Sequence, residues 1–479
     1  MQKLLALPLK SISNYFLQKH NVSVALPFFL RFIAIILIVH SASVLYQFND
    51  LIRLDYVSSD YSFFHFSLFN LFKYISISFA KPLLVISLIS SVGLFFYILP
   101  FWALLLNFIV FNSIVVLFPT FMSFQWDFLL LEVLFFSLFL VPPVGRLNLN
   151  IPMLVSYLRL LPFILLIVRL FYHSGLVKIL SNDYLWLSQD VLNFHLFSQP
   201  MPHFLSYYIH LVVLKFNLSS SLTQLMFVFE LVLPFALLLT QYRRFAAFGL
   251  IFFQFAIILT GNYGYFNFLV IAMLSIPFFI SATDDLIDFK PLFHRFNIVI
   301  STFLILCIFN SMIVVFKSSH VQPLFKSSFA RLSLFNPYGL FANMTTNQTR
   351  FTIRLSYDGI IWYPIHLKYF DSNGFPALHF VQPYHPRIRW QLWFKFLNEY
   401  QYPKWYENFV RLIAEHPNSL STIVSFDNTL GRQYNFVELC YQDIIFNIDS
   451  NHKPSKFWVP IKDSSCHRFD AKKNSFYLP

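Results

Sequence analysis

Charge is what this sequence has least of. Only 12% of its 479 residues are Asp, Glu, Lys or Arg, against about 25% in soluble domains. From Pro82 to Trp126 there is no charged residue at all. Glycine is scarce too, with 10 residues, and no Walker-type phosphate loop occurs. There are three cysteines, with no Cys-x-x-Cys and no Cys/His spacing of the zinc kind, so no metal site is expected. The chain has no nucleophile elbow, no His-Glu-x-x-His and no kinase-type signature, and nothing in it demands a cofactor. The net charge of +12 is spread thinly: from Arg331 onward, 16 Lys/Arg stand against 11 Asp/Glu. No basic run resembles a nucleic-acid patch, so a nucleic-acid partner is not expected. No internal repeat is visible.

What fills the space is apolar: 57% of residues, with a mean hydropathy of +0.61. The excess sits in blocks, which predicts a polytopic α-helical membrane protein with a soluble portion. Stretches near the roughly 20-residue spanning length are 27–48, 83–99, 101–118, 128–143, 152–172, 222–240, 245–260, 265–282 and 297–316. That makes about nine spans in a membrane domain over 27–328. Pro100 divides one long run into two helices. The 64 phenylalanines read as bulky lipid-facing packing. Residues 61–80 are aromatic and amphipathic and are expected along the interface.

Basic loops set the expected orientation. Lys3, Lys10 and Lys19 precede the first span, and 1–26 reads as a cytoplasmic N-terminus without a cleavable signal. Arg146, Arg243-Arg244, Lys290 and Arg295 fall on the same side. The loops 49–82 and 173–221, and the chain after Lys317, would then face outward. Lys317, Lys326 and Arg331 run against this order.

After about 329, charged and polar residues and prolines become frequent, and 329–479 reads as an outward α+β domain. Thr349 to Ser356 alternates as a half-exposed strand does. Asp358-Gly359 signals a hairpin turn, with Ile360 to Phe370 as the return strand. Residues 387–416 read as helical, with Trp390, Trp393, Phe394 and Leu397 on one face. Cys440 and Cys466 would join only in an oxidising compartment.

The segment Phe124-Gln125-Trp126-Asp127 with Leu129-Leu130-Leu131-Glu132 places carboxylates at a helix mouth and inside it, where they are costly and seldom idle. Gln125 and Glu132 lie about 20° apart on a helix, whereas Asp127 and Glu132 lie about 140° apart. They are therefore no side-by-side acid pair. Asp127, in the first turn, suits the helix dipole and reads as a capping residue. Glu132, deeper, needs a cation, and Arg169 is the expected partner of either Glu132 or Glu230. Glu132, His173 and Lys178 are weak catalytic candidates, since a desolvated lysine can act as a base. Gly261-Asn262-Tyr263-Gly264 reads as a tight structural turn between two spans. Tyr338, Phe341 and Met344 are expected to pack. His385, Arg387, Arg389 and Trp390 mix charge with aromatics in the way contact surfaces do.

These segments occur in an order that resembles the lipase maturation factor family, and the whole set covers about 120–395. Besides the Phe124–Glu132 block they include His173-Ser174-Gly175-Leu176-Val177-Lys178, Ser198-Gln199-Pro200-Met201-Pro202 and Phe229-Glu230-Leu231-Val232-Leu233-Pro234-Phe235. Gly261 to Asn267, Pro337-Tyr338-Gly339 through Thr346, Asp358 to Trp362, and Pro383 to Phe394 complete it. Phe197-Ser198 and Arg389 depart from the family pattern, which has Glu-Thr and Asp there.

The resemblance implies a membrane-bound maturation factor whose partners are the bilayer and an exported client, by analogy a secreted lipase. The lack of an ER-retention tail suggests a bacterial-type relative in the inner membrane; a eukaryotic one would sit in the ER membrane. Gln125, Trp126, Asp127, Gly261, Asn262, Tyr263, Gly264, Pro337, Tyr338, Gly339, His385, Arg387 and Trp390 are the client-binding or structural motif positions it implies. The alternative is an integral-membrane enzyme related in architecture to vitamin-K-dependent carboxylases, with Glu132, His173 and Lys178 lining one cavity.

Overall fold

Eight helices correspond to the first eight apolar runs. The computed structural model describes residues 18–55, 70–286, 301–306, 308, 334–336, 338–398, 401–425, 433–448 and 457–477. Expectations for 1–17, 61–69, Lys290, Arg295, Cys307, Lys317, Lys326, Arg331 and Pro337 lie outside these residues.

The membrane part contains α1 (Ala25–Asp55), α2 (Ala80–Phe95), α3 (Pro100–Leu117), α4 (Gln125–Ser137) and α5 (Tyr157–Leu180). Three short helices follow: α6 (Tyr184–Ser188), α7 (Leu192–Ser198) and α8 (Phe204–Lys215). Next come α9 (Ser219–Phe227), extended by a π turn (Val228–Val232) and a 3₁₀ turn (Leu233–Leu238), then α10 (Arg243–Ile258) and α11 (Phe266–Phe279). Pro100 opens α3 at its first turn, where its missing N–H costs nothing. Five helical stretches are long and apolar enough to cross a membrane: Ala25–Asp55, Ile77–Phe95, Pro100–Leu117, Tyr157–Leu180 and Ser219–Leu238. The remaining apolar helices are shorter; α4, at 13 residues, rises only about 20 Å. The described part of the stretch expected along the interface, 70–80, holds two 3₁₀ turns, Leu71–Lys73 and Ile77–Phe79.

Phenylalanine does face outward where lipid would lie. Phe245, Phe248, Phe252 and Phe255 form an exposed stripe along α10, while Ala246, Ala247 and Leu250 on its other face are buried. This spacing is the period of one helix face.

A feature not anticipated from the sequence ties one end of the bundle together. The strands β1 (Gln18–Asn21), β2 (Leu154–Ser156) and β3 (Ser281–Leu286) form an antiparallel sheet in the order β2-β1-β3. They adjoin the starts of α1 and α5 and the end of α11. At the same end Tyr97 donates to the Pro27 carbonyl, and Arg243 stacks over Tyr157 at 5.0 Å.

The C-terminal part forms an antiparallel sheet of β4 (Gln348–Ser356), β5 (Tyr363–Ile365), β6 (Phe436–Phe446), β7 (Trp458–Pro460), β8 (Ser465–Asp470) and β9 (Ser475–Tyr477). The order is β5-β4-β6-β8-β9, with β7 also on β6. Phe351, Ile353 and Leu355 alternate inward as expected, but the return strand is only three residues long. The stretch 387–416, read as helical, holds two helices, α12 (Arg387–Phe396) and α13 (Lys404–Glu415), the second starting after Pro403. Trp390 and Trp393 are buried, but Phe394 and Leu397, expected on the same face, are exposed. Cys440 and Cys466 are register partners on β6 and β8 and form a disulfide.

Candidate functional site at the junction of bundle and tail

At the end of the bundle away from the small sheet, α4 starts from an extended Phe124. Gln125 turns one way, and its Oε1 accepts from the Gly339 N–H at 2.9 Å. Asp127 turns the other way and does not cap the helix. Its carboxylate accepts from both terminal nitrogens of Arg387, at 2.8 and 2.9 Å, and from the Tyr265 hydroxyl at 2.6 Å. The capping expectation is thus corrected: the first-turn N–H groups of Asp127 and Phe128 turn to the Phe124 carbonyl, and the carboxylate takes the fully buried guanidinium. Arg387 also donates to the Phe121 carbonyl, and its own N–H donates to Gln47 Oε1. Gln47 in turn donates to the His385 carbonyl. A buried ion pair is tolerated when its remaining polar valences are met, and these contacts meet most of them. Burial alone would lower the Arg387 pKa, but Asp127 and Tyr265 hold it above its ordinary value.

Aromatic rings surround this pair. Phe124 and Trp126 stack at 4.8 Å, and Trp126 meets Trp390 edge-on at 4.9 Å and His385 at 5.0 Å. Gly264, at φ +59°, passes so close that a Cβ there would lie 3.0 Å from His385 Cβ. The reading of His385, Arg387, Arg389 and Trp390 as an exposed contact surface is corrected: all four are buried. Wedging α12 between the bundle end and its own sheet turns that mixture into interior packing. Burial, and then the Arg387 charge, push the His385 imidazole pKa well down. Arg389 lies 4.5 Å over the Phe370 ring, and burial lowers its pKa to about 9.

The turn between α10 and α11 is a structural turn, as expected, and also a hub. Asn262 donates to the carbonyls of Met201 and His379 and accepts from the N–H groups of Val381 and Gln382. Gly261 lies against Gln199: a Cβ would fall 1.7 Å from Gln199 Oε1. That oxygen accepts from the Tyr263 hydroxyl at 2.6 Å. Tyr338 is buried, its ring 5.2 Å from Arg169. Phe341 and Met344 pack with Trp186 as expected.

The weak catalytic candidates separate. Glu132 pairs with Arg169, as expected, and accepts from the Asn336 N–H and side chain. Lys178, not Arg169, holds Glu230, at 2.5 and 2.6 Å, and stands 5.2 Å over the Trp186 ring. Gly175 permits this approach, since a Cβ there would lie 2.9 Å from Glu230 Cβ. Lys178 lines a cavity inside the bundle, but Glu132 and His173 are not among its lining residues. The three do not form one site. Glu438, Cys440 and Cys466 cluster closely, but the two sulfurs are joined to each other and Glu438 is paired with Arg354 and Arg468.

Gln47 escaped the sequence reading: it lies inside an apolar run, and its only signal was a hydrogen-bonding group where lipid-facing residues were expected. Tyr265 lies within the Gly261–Asn267 block but was assigned no role there.

The same two regions are matched by family models. One, the lipase maturation factor transmembrane domain, matches residues 24–280; the other, the lipase maturation factor C-terminal domain, matches 334–462. The chain belongs to the lipase maturation factor family. It is 27% identical to lipase maturation factor 1 of Mus musculus over 317 residues, covering 59% of this chain and 54% of that protein. Against lipase maturation factor 1 of Homo sapiens the identity is 27% over 339 residues, covering 63% and 58%. Against lipase maturation factor 2 of Xenopus tropicalis it is 30% over 155 residues, covering 32% and 22%. The chain spans little more than half the length of the first two. No solved structure matches it. Of the described motif residues, Gln125, Asp127 and Asn262 hydrogen-bond across to Gly339, Arg387 and the His379–Gln382 segment of the tail. The protein is an integral membrane protein.

Proposed function

We propose that this chain is a membrane-bound maturation factor for exported proteins, with secreted lipases as the client class. The observation that carries this reading is the match of both family domains, in order, along one chain. The names of its relatives, lipase maturation factors, supply the client. About nine spans over 27–328 would anchor the factor, with 1–26 in the cytoplasm and 329–479 facing the periplasm or the ER lumen. The Cys440–Cys466 disulfide supports an oxidising compartment for the tail. The buried junction suggests how the motif residues contribute: they fix the tail on the bundle, so that the outward faces of both are presented to a client as one surface.

The test is co-expression with a secreted lipase in a host lacking such a factor. The full chain should raise secreted lipase activity, and a photo-crosslinker on the exposed Ile360 or Ile361 should trap the client. If a chain lacking 330–479 supported the lipase as well as the full chain does, the reading would fail.

A further inference from the structure

The bundle encloses a cavity of about 410 Å³ between α5, α9, α10 and α11, within the roughly 300–1,000 Å³ typical of small-ligand sites. Its wall is mostly apolar. Four buried polar side chains of the wall carry atoms without a hydrogen-bond partner: Trp126 Nε1, Asn267 Oδ1 and Nδ2, Gln254 Oε1 and Thr223 Oγ1. Such atoms are costly when unmet, and native interiors rarely collect several in one place.

The arrangement has a direction. Trp126 and Asn267 are the second residues of α4 and α11, at the end next to the tail. Leu170 lines the cavity about 12 Å deeper than Lys178 by helix rise, and Phe229 and Val270 line it with Leu170. The one lysine in the wall is neutralised by Glu230, so the site does not call for an anionic ligand. Leu225 of α9 and Phe252 of α10 belong to the wall yet are exposed. The cavity therefore opens sideways, between two helices whose outer faces are apolar.

We propose that this cavity binds one neutral acyl lipid. Its ester oxygens accept from the Trp126 Nε1–H and the Asn267 amide N–H, and a glycerol hydroxyl, where the lipid carries one, donates to Gln254 Oε1. Its hydrocarbon chain lies along Leu170, Phe229 and Val270 and leaves between α9 and α10. A membrane glycerolipid and a free monoacylglycerol share the ester and acyl parts of this chemistry. The inference rests on the cavity and the membrane setting, not on the client.

The test uses the full chain in nanodiscs with a diazirine-bearing monoacylglycerol and a diazirine-bearing alkane, mapping labelled peptides by mass spectrometry. The monoacylglycerol should label peptides around Val270 and Leu170. Val270→Trp should reduce that labelling several-fold. Asn267→Leu should reduce it while leaving alkane labelling unchanged. In the wild type, where folding is not at issue, excess unlabelled monoacylglycerol or phosphatidylcholine should compete; either supports the site, and which of them competes assigns the source. Labelling confined to exposed residues outside the cavity such as Phe245, or cavity labelling insensitive to every competitor and to Val270→Trp, would overturn the proposal.

Discussion

Arg387 grips the carboxylate of Asp127 through both terminal nitrogens, across a sequence separation of 260 residues, and neither side chain reaches solvent. The pair joins the first turn of a bundle helix to the first turn of a tail helix. The acid beside the membrane run therefore works as the anchor of a second domain, and its charge is meaningful only when that domain is docked.

Removing one partner leaves the other charge buried alone. Arg387→Ala should destabilise the protein by about 3–5 kcal/mol, and the tail should become protease-sensitive before the bundle does. The double variant with Asp127→Asn should be milder than the sum of the two single changes. Additive losses in thermal unfolding would show that the pair is not coupled.

Gly261→Ala forces a methyl group into Gln199 Oε1. Overpacking of this kind costs about 1–3 kcal/mol. Adding Gln199→Ala relieves the clash but forfeits the bonds to Tyr263 and Thr260. The double variant should therefore melt between Gly261→Ala and the wild type.

Acid should loosen the junction. Burial holds the His210 pKa down to about 4, against an opposing backbone bond to Leu192, and His385 is shifted the same way. An unfolded histidine titrates near 6.5, so between about 4 and 6.5 the unfolded chain binds more protons. Stability is then full above about pH 6.5 and falls as pH drops towards 4. Melting temperatures in detergent across this window should follow that slope. His210→Phe, packed among Phe197 and Phe446, should flatten it.

The Cys440–Cys466 bridge closes a loop with a sequence separation of 26, which is worth about 3 kcal/mol in the chain-entropy account. Reduction, or Cys466→Ser, should lower tail stability and change mobility on non-reducing gels. Complete alkylation of both thiols in the unreduced protein isolated from its own membrane would contradict the bridge.

Some of this was legible in one dimension. Apolar runs near spanning length became helices because burial or lipid must cover them, and Pro100 separated α2 from α3 because proline cannot continue a helix. The alternation of Phe351, Ile353 and Leu355 yielded a strand because side chains of a strand point alternately to its two faces. Glu132 needed a cation, and Arg169 was within reach.

What the tertiary structure alone decided is which distant groups meet. Asp127 read as a cap because its local partners were the only ones a single helix reveals. His385, Arg387 and Trp390 read as a surface because nothing in their own segment shows that the bundle end covers them. Gly261 owes its need for hydrogen in place of a side chain to Gln199, 62 positions earlier. Periodicity is a property of neighbours along the chain and fixes elements; burial of a charge is a property of neighbours in space, and only the docked fold supplies them.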